Sequence, residues 1–485
     1  MTEPPSFDDP EPEQPLVASG VRRWIVVGVV ALLLVSMVFL AWVSGRGQVS
    51  VVPVSPAPST AAAGPSGPSG PPSPSAVPSA AAASTPAATS GSGPATARLA
   101  VVEADGSLFT MDRAGNGIVR RGGSDATYLF PAWSPDGGRV AAIAAGAGSG
   151  AIHVFPASSG GSASPAPPTV IYQSADASPF YLYWSPDGRS VTFLTSEAGG
   201  GLALRSAPAD GAGPSTVVRE GSPMYWAWTG DRRLLVHSGG QGVGSFLGEV
   251  GAADGAGDPI GAASSGFRAP AVSSTGHYRA FAVPDADTGL KVVAAAIAGP
   301  GRQEVPAFGG AAFAFDPAGD RLAFIAATEP GTPPGFPVGP LRLLDPATGG
   351  LRTLLPGVEV AFFWSPDGKT IATIQAPAAQ EPGASSSAVP ARLVDTGVRV
   401  QVVFVDVATG DVESTQEVQL ADLFVSQFLP FFDQYALSHR LWTPDSRAVA
   451  LPLVAGDGSV NIAEVRADGS EPRTIAPGVA AFWSP

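Results

Sequence analysis

The chain contains no cysteine and only two lysines, Lys291 and Lys369, in 485 residues. Without a thiol there is no disulfide, no thiolate nucleophile and no thiolate metal site, whatever compartment the protein occupies. Histidine is almost as scarce: His153, His237, His277 and His439 fall far apart, with no pair at metal-ligand spacing. No phosphate loop, dinucleotide fingerprint, calcium loop or Gly-x-Ser-x-Gly nucleophile elbow occurs either. The expectation is no metal, no cofactor and no catalytic residue that the sequence can name. A net charge of -14, from 27 basic and 41 acidic residues, argues against nucleic acid as a partner.

What is abundant is turn chemistry, with 60 Gly and 50 Pro, beside a hydrophobic content of 45% that still permits a large core. The two are distributed unevenly. From Trp24 to Val43 runs an uncharged apolar stretch, long enough as a helix to cross a hydrocarbon core of roughly 30 Å. Trp24 and Trp42 lie near its ends, and Arg22 and Arg23 precede it while only Arg46 follows closely. Residues 22–45 are therefore expected to form one transmembrane helix, with residues 1–21 a disordered cytoplasmic tail and everything beyond it extracytoplasmic. Residues 46–96 are almost wholly Pro, Ser, Ala, Gly, Thr and Val, the composition of a flexible linker.

Beyond the linker a pentapeptide returns. Trp-Ser-Pro-Asp-Gly stands at Trp133–Gly137, Trp184–Gly188 and Trp364–Gly368, and worn copies place further aligned positions at Trp228, Val272, Phe315, Trp442 and Trp483. The successive intervals are 51, 44, 44, 43, 49, 78 and 41 residues. A period near 44 containing several short β-branched runs separated by Gly and Asp turns is the pattern of a propeller blade. The unit after Trp184, for example, predicts strands over 191–194, 202–205 and 216–218. In the pentapeptide itself Trp offers a face to pack between blades, Pro sets a turn angle, Asp bonds nearby backbone and Gly permits positive φ. Asp136, Asp187, Asp367 and Asp445 thus read as turn formers, not as catalysts.

The ends of the array complement each other. Residues 98–102, 107–112 and 118–120 supply three strands with no aromatic strand before them, while residues 478–485 supply an aromatic strand with nothing after it. Joined, they make one blade from both termini and leave no open edge. The expected fold of residues 97–485 is all-β: a propeller most simply of eight blades, or seven if the degenerate positions Val272 and Phe315 are not separate blades.

The runs Trp133–Ala141 and Trp364–Ala372 resemble the repeats of TolB-like propellers, also called WD-like repeats. That resemblance implies the propeller fold over residues 97–485. Such propellers include both the protein-binding part of TolB and the noncatalytic gate of prolyl-oligopeptidase-type serine peptidases, so it implies no single activity. Neither a TolB-type preceding domain nor a hydrolase domain stands in this sequence.

One unit breaks the rhythm. The 78-residue interval after Trp364 accommodates inserts at about 376–396 and 419–437. The second spaces Leu420, Leu423, Phe424 and Phe428 as on a helix, which Pro430 is expected to end, and continues with Phe431, Phe432 and Tyr435. Two readings follow: the segment packs on its own propeller, covering a face or filling the channel mouth, or Phe424, Phe428, Phe431, Phe432 and Tyr435 form a partner-binding surface. The functional expectation is a membrane-tethered module for a protein, peptide or glycan ligand; the alternative is an enzyme, such as a hydrolase or lyase, with its site in the central channel.

Overall fold

The computed structural model describes residues 97–485 apart from 123–125, 147, 158–166, 199, 231, 241–243, 334 and 377–396. The expected tail, membrane span and linker, and nearly all of the insert at 376–396, lie outside the described residues. Among the described residues no helix is long and apolar enough to cross a membrane.

Apolar runs of five to eight residues between Asp and Gly turns fold into antiparallel sheets whose strands follow chain order. Four of these sheets have four strands each. The first begins with a strand from the other end of the chain: Ala480–Trp483 pairs with Arg98–Val102, followed by Leu108–Asp112 and Val119–Arg121. Closure by both ends is thus the observed topology. The next sheets open with Thr127–Trp133, Ser178–Trp184 and Met224–Gly230.

The remaining strands form one 13-stranded sheet. Its continuity comes from two 14-residue strands, Arg302–Phe315 and Leu351–Trp364, each of which pairs backward through its first half and forward through its second, and from the pairing of Leu420 with Leu453, which joins the last unit. A register shift divides each strand, between Phe308 and Ala311 in one and between Glu359 and Ala361 in the other. Bulges of this kind turn a strand while preserving its pairing. The repeating unit persists through them.

The opening strand of each sheet is apolar on both faces. In Thr127–Trp133, Tyr128 and the residues from Phe130 to Trp133 are buried, because the strand packs between the sheet before it and the sheet after it. Core residues accordingly run in a band through every sheet and include Trp226, Phe324, Phe362, Phe404, Phe482 and Trp483. This radial arrangement of antiparallel sheets is a β-propeller.

The pentapeptide builds both a turn and a staple. Ser185 Oγ donates to Asp187 Oδ1 at 2.6 Å, Asp187 Oδ1 accepts the Arg189 N–H at 2.9 Å, and Gly188, at φ 67°, donates to the Ser185 carbonyl. Ser134, Ser365 and Thr443 repeat the bond to Asp136, Asp367 and Asp445. The indole completes the motif: Trp133, Trp184, Trp364 and Trp442 each donate Nε1–H to the carbonyl of Phe482, Ala132, Ala314 and Phe363 respectively, at 2.9–3.1 Å. In every case the acceptor directly precedes the aligned aromatic of the unit before. These four units are therefore tied to their predecessors by an indole hydrogen bond as well as by packing, whereas Nε1 of the aligned Trp228 and Trp483 is buried without a partner.

Candidate functional site

The insert at 419–437 occupies the axis. Leu420 pairs with Leu453, and Trp442 bridges to Val449, so the segment between them stands where the opening strand of the last unit would otherwise run. It forms a π-type turn over Phe424–Phe428, a 3-10 turn over Leu429–Phe431 and a short α-helix over Phe432–Tyr435. Pro430 does not end the helical run as expected. It sits at the start of the 3-10 turn, where its missing N–H is an unused donor in any case.

The five aromatic candidates lie together, and four are almost fully buried: Phe424, Phe428, Phe432 and Tyr435. Phe428 packs on Phe363 and Phe482, Phe432 on Phe362, and Tyr435 on Phe130 and Tyr181, at centroid distances of 4.7–6.2 Å among these and with one another. Phe431 is partly buried, with the Arg268 guanidinium 5.6 Å from its ring centre. These rings reach the opening strands of several sheets at once. The insert fills the channel, as the first of the two sequence readings has it, and the rings face inward.

Polar groups fix its register. Gln434 donates from Nε2 to the Trp226 carbonyl and the Tyr181 hydroxyl, and its Oε1 accepts the Trp226 N–H at 2.9 Å. It thus satisfies a strand that has no neighbour on that edge. His439 lies within 3.1 Å of the Phe130 carbonyl through Nε2 and 2.6 Å of Ser438 Oγ through Nδ1, and burial pushes its pKa down to about 4. Phe130 itself has φ 44°, a strained value for a non-glycine residue, within the bulge that presents its carbonyl. Asp433 Oδ2 accepts the Ala269 N–H at 3.1 Å, while burial raises its carboxyl pKa against the lowering influence of Arg268.

Beneath the plug, at the pentapeptide end of the axis, lies a funnel of about 540 Å³. Its rim carries Pro135, Pro186, Pro317, Pro366 and Pro485, the prolines of five aligned turns, with Tyr183 and Trp364 on the wall. Its floor is the segment 436–441 that leaves the insert. The ionisable side chains lining it are Tyr183, His439 and Arg440; no Asp or Glu side chain contributes.

Arg440 is accessible within this funnel, yet the surrounding wall strips enough water to lower its pKa, an effect that the nearby Tyr183 phenol opposes. No described side chain forms an ion pair with it. Tyr183, in turn, has its phenol pKa raised by burial and lowered by Arg440. Sequence reasoning missed both residues. Tyr183 directly precedes an aligned Trp, which marks it as axis-facing, whereas a lone arginine after an insert carries no signal.

The other three histidines lie apart from this site. His153 meets Tyr128, His237 lies between the Arg268 and Gly240 carbonyls, and His277 contacts Asp320. Among the described residues no group of three or more His, Asp or Glu side chains is placed to hold a metal ion. The Asp285–Asp287 and Asp406–Asp411 segments are turns, in which Asp285 and Asp406 accept backbone N–H groups.

No protein-family model and no curated relative matches the chain. Similar solved structures include a eukaryotic initiation factor at 11% identity, covering 81% of this chain and 99% of that one with a TM-score of 0.47. TolB from Acinetobacter baumannii is 14% identical over 64% of this chain and 62% of its own, with a TM-score of 0.34. The β-propeller domain of the Trilobed protease from Pyrococcus furiosus is 14% identical over 58% and 88%, with a TM-score of 0.38. At these identities and scores the likenesses carry nothing about function.

Proposed function

We propose that the protein is a membrane-tethered, extracytoplasmic eight-bladed propeller that binds a protein, peptide or glycan ligand in its pentapeptide-end funnel. The funnel carries this reading. It is a concave site rimmed by repeated prolines and aromatic rings, with hydrogen-bond donors at its floor and no carboxylate pair for acid–base chemistry. Recognition fits such a lining better than the alternative of a hydrolase or lyase site in a channel that the insert occupies.

The blade count rests on the sheets. Four are separate, and the 13-stranded sheet divides at its two shared strands and at the Trp442 bridge into four more units. The tether rests on residues 22–45, and the orientation on the arginines before it. Aromatic residues 424–435 support binding indirectly, by holding the floor of the funnel in place.

A photo-crosslinking amino acid at Leu437 on the funnel floor, compared with one at Val412 on an outer strand, tests the site in the full chain in its native membrane. The expected result is a discrete adduct from position 437 and none from 412. Adducts from 412 alone would place the ligand elsewhere and end the funnel reading.

A further inference from the structure

We infer that Arg440 on the funnel floor and Tyr183 on its wall form a carboxylate-binding subsite, so that the ligand enters with a single anionic group leading. This rests on the funnel reading above and adds the chemistry of what the funnel takes.

The protein is strongly acidic, with 41 acidic against 27 basic residues, yet this cavity is walled without one Asp or Glu side chain. The arginines elsewhere are commonly answered: Arg113 by Asp445 and Glu464, Arg205 by Glu197, Arg279 by Glu249, Arg321 by Asp316, Arg473 by Glu464. Arg440 has neither an ion-pair partner nor a side-chain hydrogen bond among the described residues. Its main chain is nevertheless held, because the Arg440 carbonyl accepts the Trp483 N–H at 2.8 Å. The closing strand thus fixes the backbone from which the Arg440 side chain enters the lining of the funnel.

Tyr183 adds a second donor. Its backbone is fixed in the opening strand Ser178–Trp184, where its carbonyl accepts the Thr192 hydroxyl at 2.9 Å, and its ring packs edge-on to Trp228. Like the guanidinium, its hydroxyl has no hydrogen-bond partner among the described residues. The chamber therefore presents a guanidinium and a phenol hydroxyl, both without a partner, and no carboxylate to answer them. An arginine fork matches a carboxylate in two parallel N–H···O bonds, and in a partly desolvated chamber each is stronger than in open water.

The count of charges selects the anion. One guanidinium with no second cation in the lining balances a monoanion; a phosphate dianion would bring a second, uncompensated charge into a site where charge is costly. Planar carboxylates occur at peptide C-termini and acidic side chains and also on uronic sugars. The apolar rim of prolines suits the body that follows either group.

Tryptophan fluorescence of the full chain in detergent tests the subsite, since Trp133, Trp184, Trp364 and Trp442 line the funnel. The probes are acetyl-Ala-Phe as free acid and as amide, glucuronate and its methyl ester, and inorganic phosphate. The acid of one pair is expected to bind at least about tenfold tighter than its neutral partner, a difference that Arg440→Met abolishes and Arg440→Lys only weakens. Which pair responds identifies peptide or sugar as the source. Equal binding of acid and neutral forms, an unchanged preference in Arg440→Met, no binding by either acid, or tighter binding of phosphate would each overturn the subsite. If the crosslink from Leu437 persists in Arg440→Met while the acid preference is absent, the funnel stands and only its carboxylate chemistry is lost.

Discussion

At the scale of single residues, the pentapeptide shows how one sequence pattern yields unequal local constraints. Gly188 and Gly368 hold the same motif position at φ 67° and 68°. A Cβ at Gly188 would meet nothing closer than 3.5 Å, so Gly188→Ala pays only for the left-handed backbone, about 1–2 kcal/mol. A Cβ at Gly368 would stand 2.5 Å from Asp316 Oδ1, and Asp316 is buried and held by Arg321, whose guanidinium also donates to the Gly368 carbonyl. Gly368→Ala should therefore lower Tm clearly more than Gly188→Ala in parallel thermal denaturation. Equal shifts would mean that the Asp316–Arg321 pair yields freely. The motif announced both glycines; only the neighbouring unit distinguishes them.

At the scale of elements, the strands were legible because their signals are local. The predicted strands 191–194, 202–205 and 216–218 lie within the observed Ser190–Glu197, Gly201–Pro208 and Thr216–Glu220, each bounded by the turn residues that marked it. The insert was legible as helical but not in form, since three kinds of turn follow one another over Phe424–Tyr435. Its shape is set by the walls it fills. Gln434→Leu tests this: the substitution keeps the bulk but leaves the Trp226 N–H and C=O, both buried, without the partners that Gln434 supplies. Two unsatisfied groups at about 1–3 kcal/mol each predict a loss on the order of 2–5 kcal/mol in urea denaturation. A loss below about 1 kcal/mol would show that the plug is not a structural part of the channel.

At the scale of the whole molecule, buried titratable groups give the assembled propeller a pH-dependent stability with opposing contributions. Glu359 lies at the register shift where one long strand passes from one unit to the next, and it is fully buried. Desolvation raises its pKa to about 7, against the lowering effects of Thr373 and Gln375. Gln375 Nε2 donates to Oε1 at 2.6 Å, whereas Oε2 and the Thr373 hydroxyl, though close, complete no hydrogen bond. The folded state therefore holds a proton that the unfolded chain releases near pH 4.5, and stability falls as pH rises from about 4.5 to 7. His439 acts oppositely: its pKa of about 4 means that folded chains bind fewer protons, so stability falls as pH drops from 6.5 toward 4. Glu359→Gln removes the first contribution. Its stability relative to the parent should grow between pH 4.5 and 7 and level off at a gain on the order of 3 kcal/mol by pH 8. A difference independent of pH would show that Glu359 is ionised in the folded protein.

Sequence by itself determined the repeat, its turns, the strand order and the closure of the ring from both ends. Each of these depends on the period of apolar residues or on the backbone demands of Gly, Pro and Asp, which act over a few neighbouring positions. Tertiary structure alone decided that the aromatic insert turns inward to fill the axis, and that Tyr183 and Arg440, 257 residues apart, share one chamber without a carboxylate. Those facts depend on which strands face the axis and on what charge is missing from a cavity wall. Ring closure brings such groups together, and no local pattern in the chain records it.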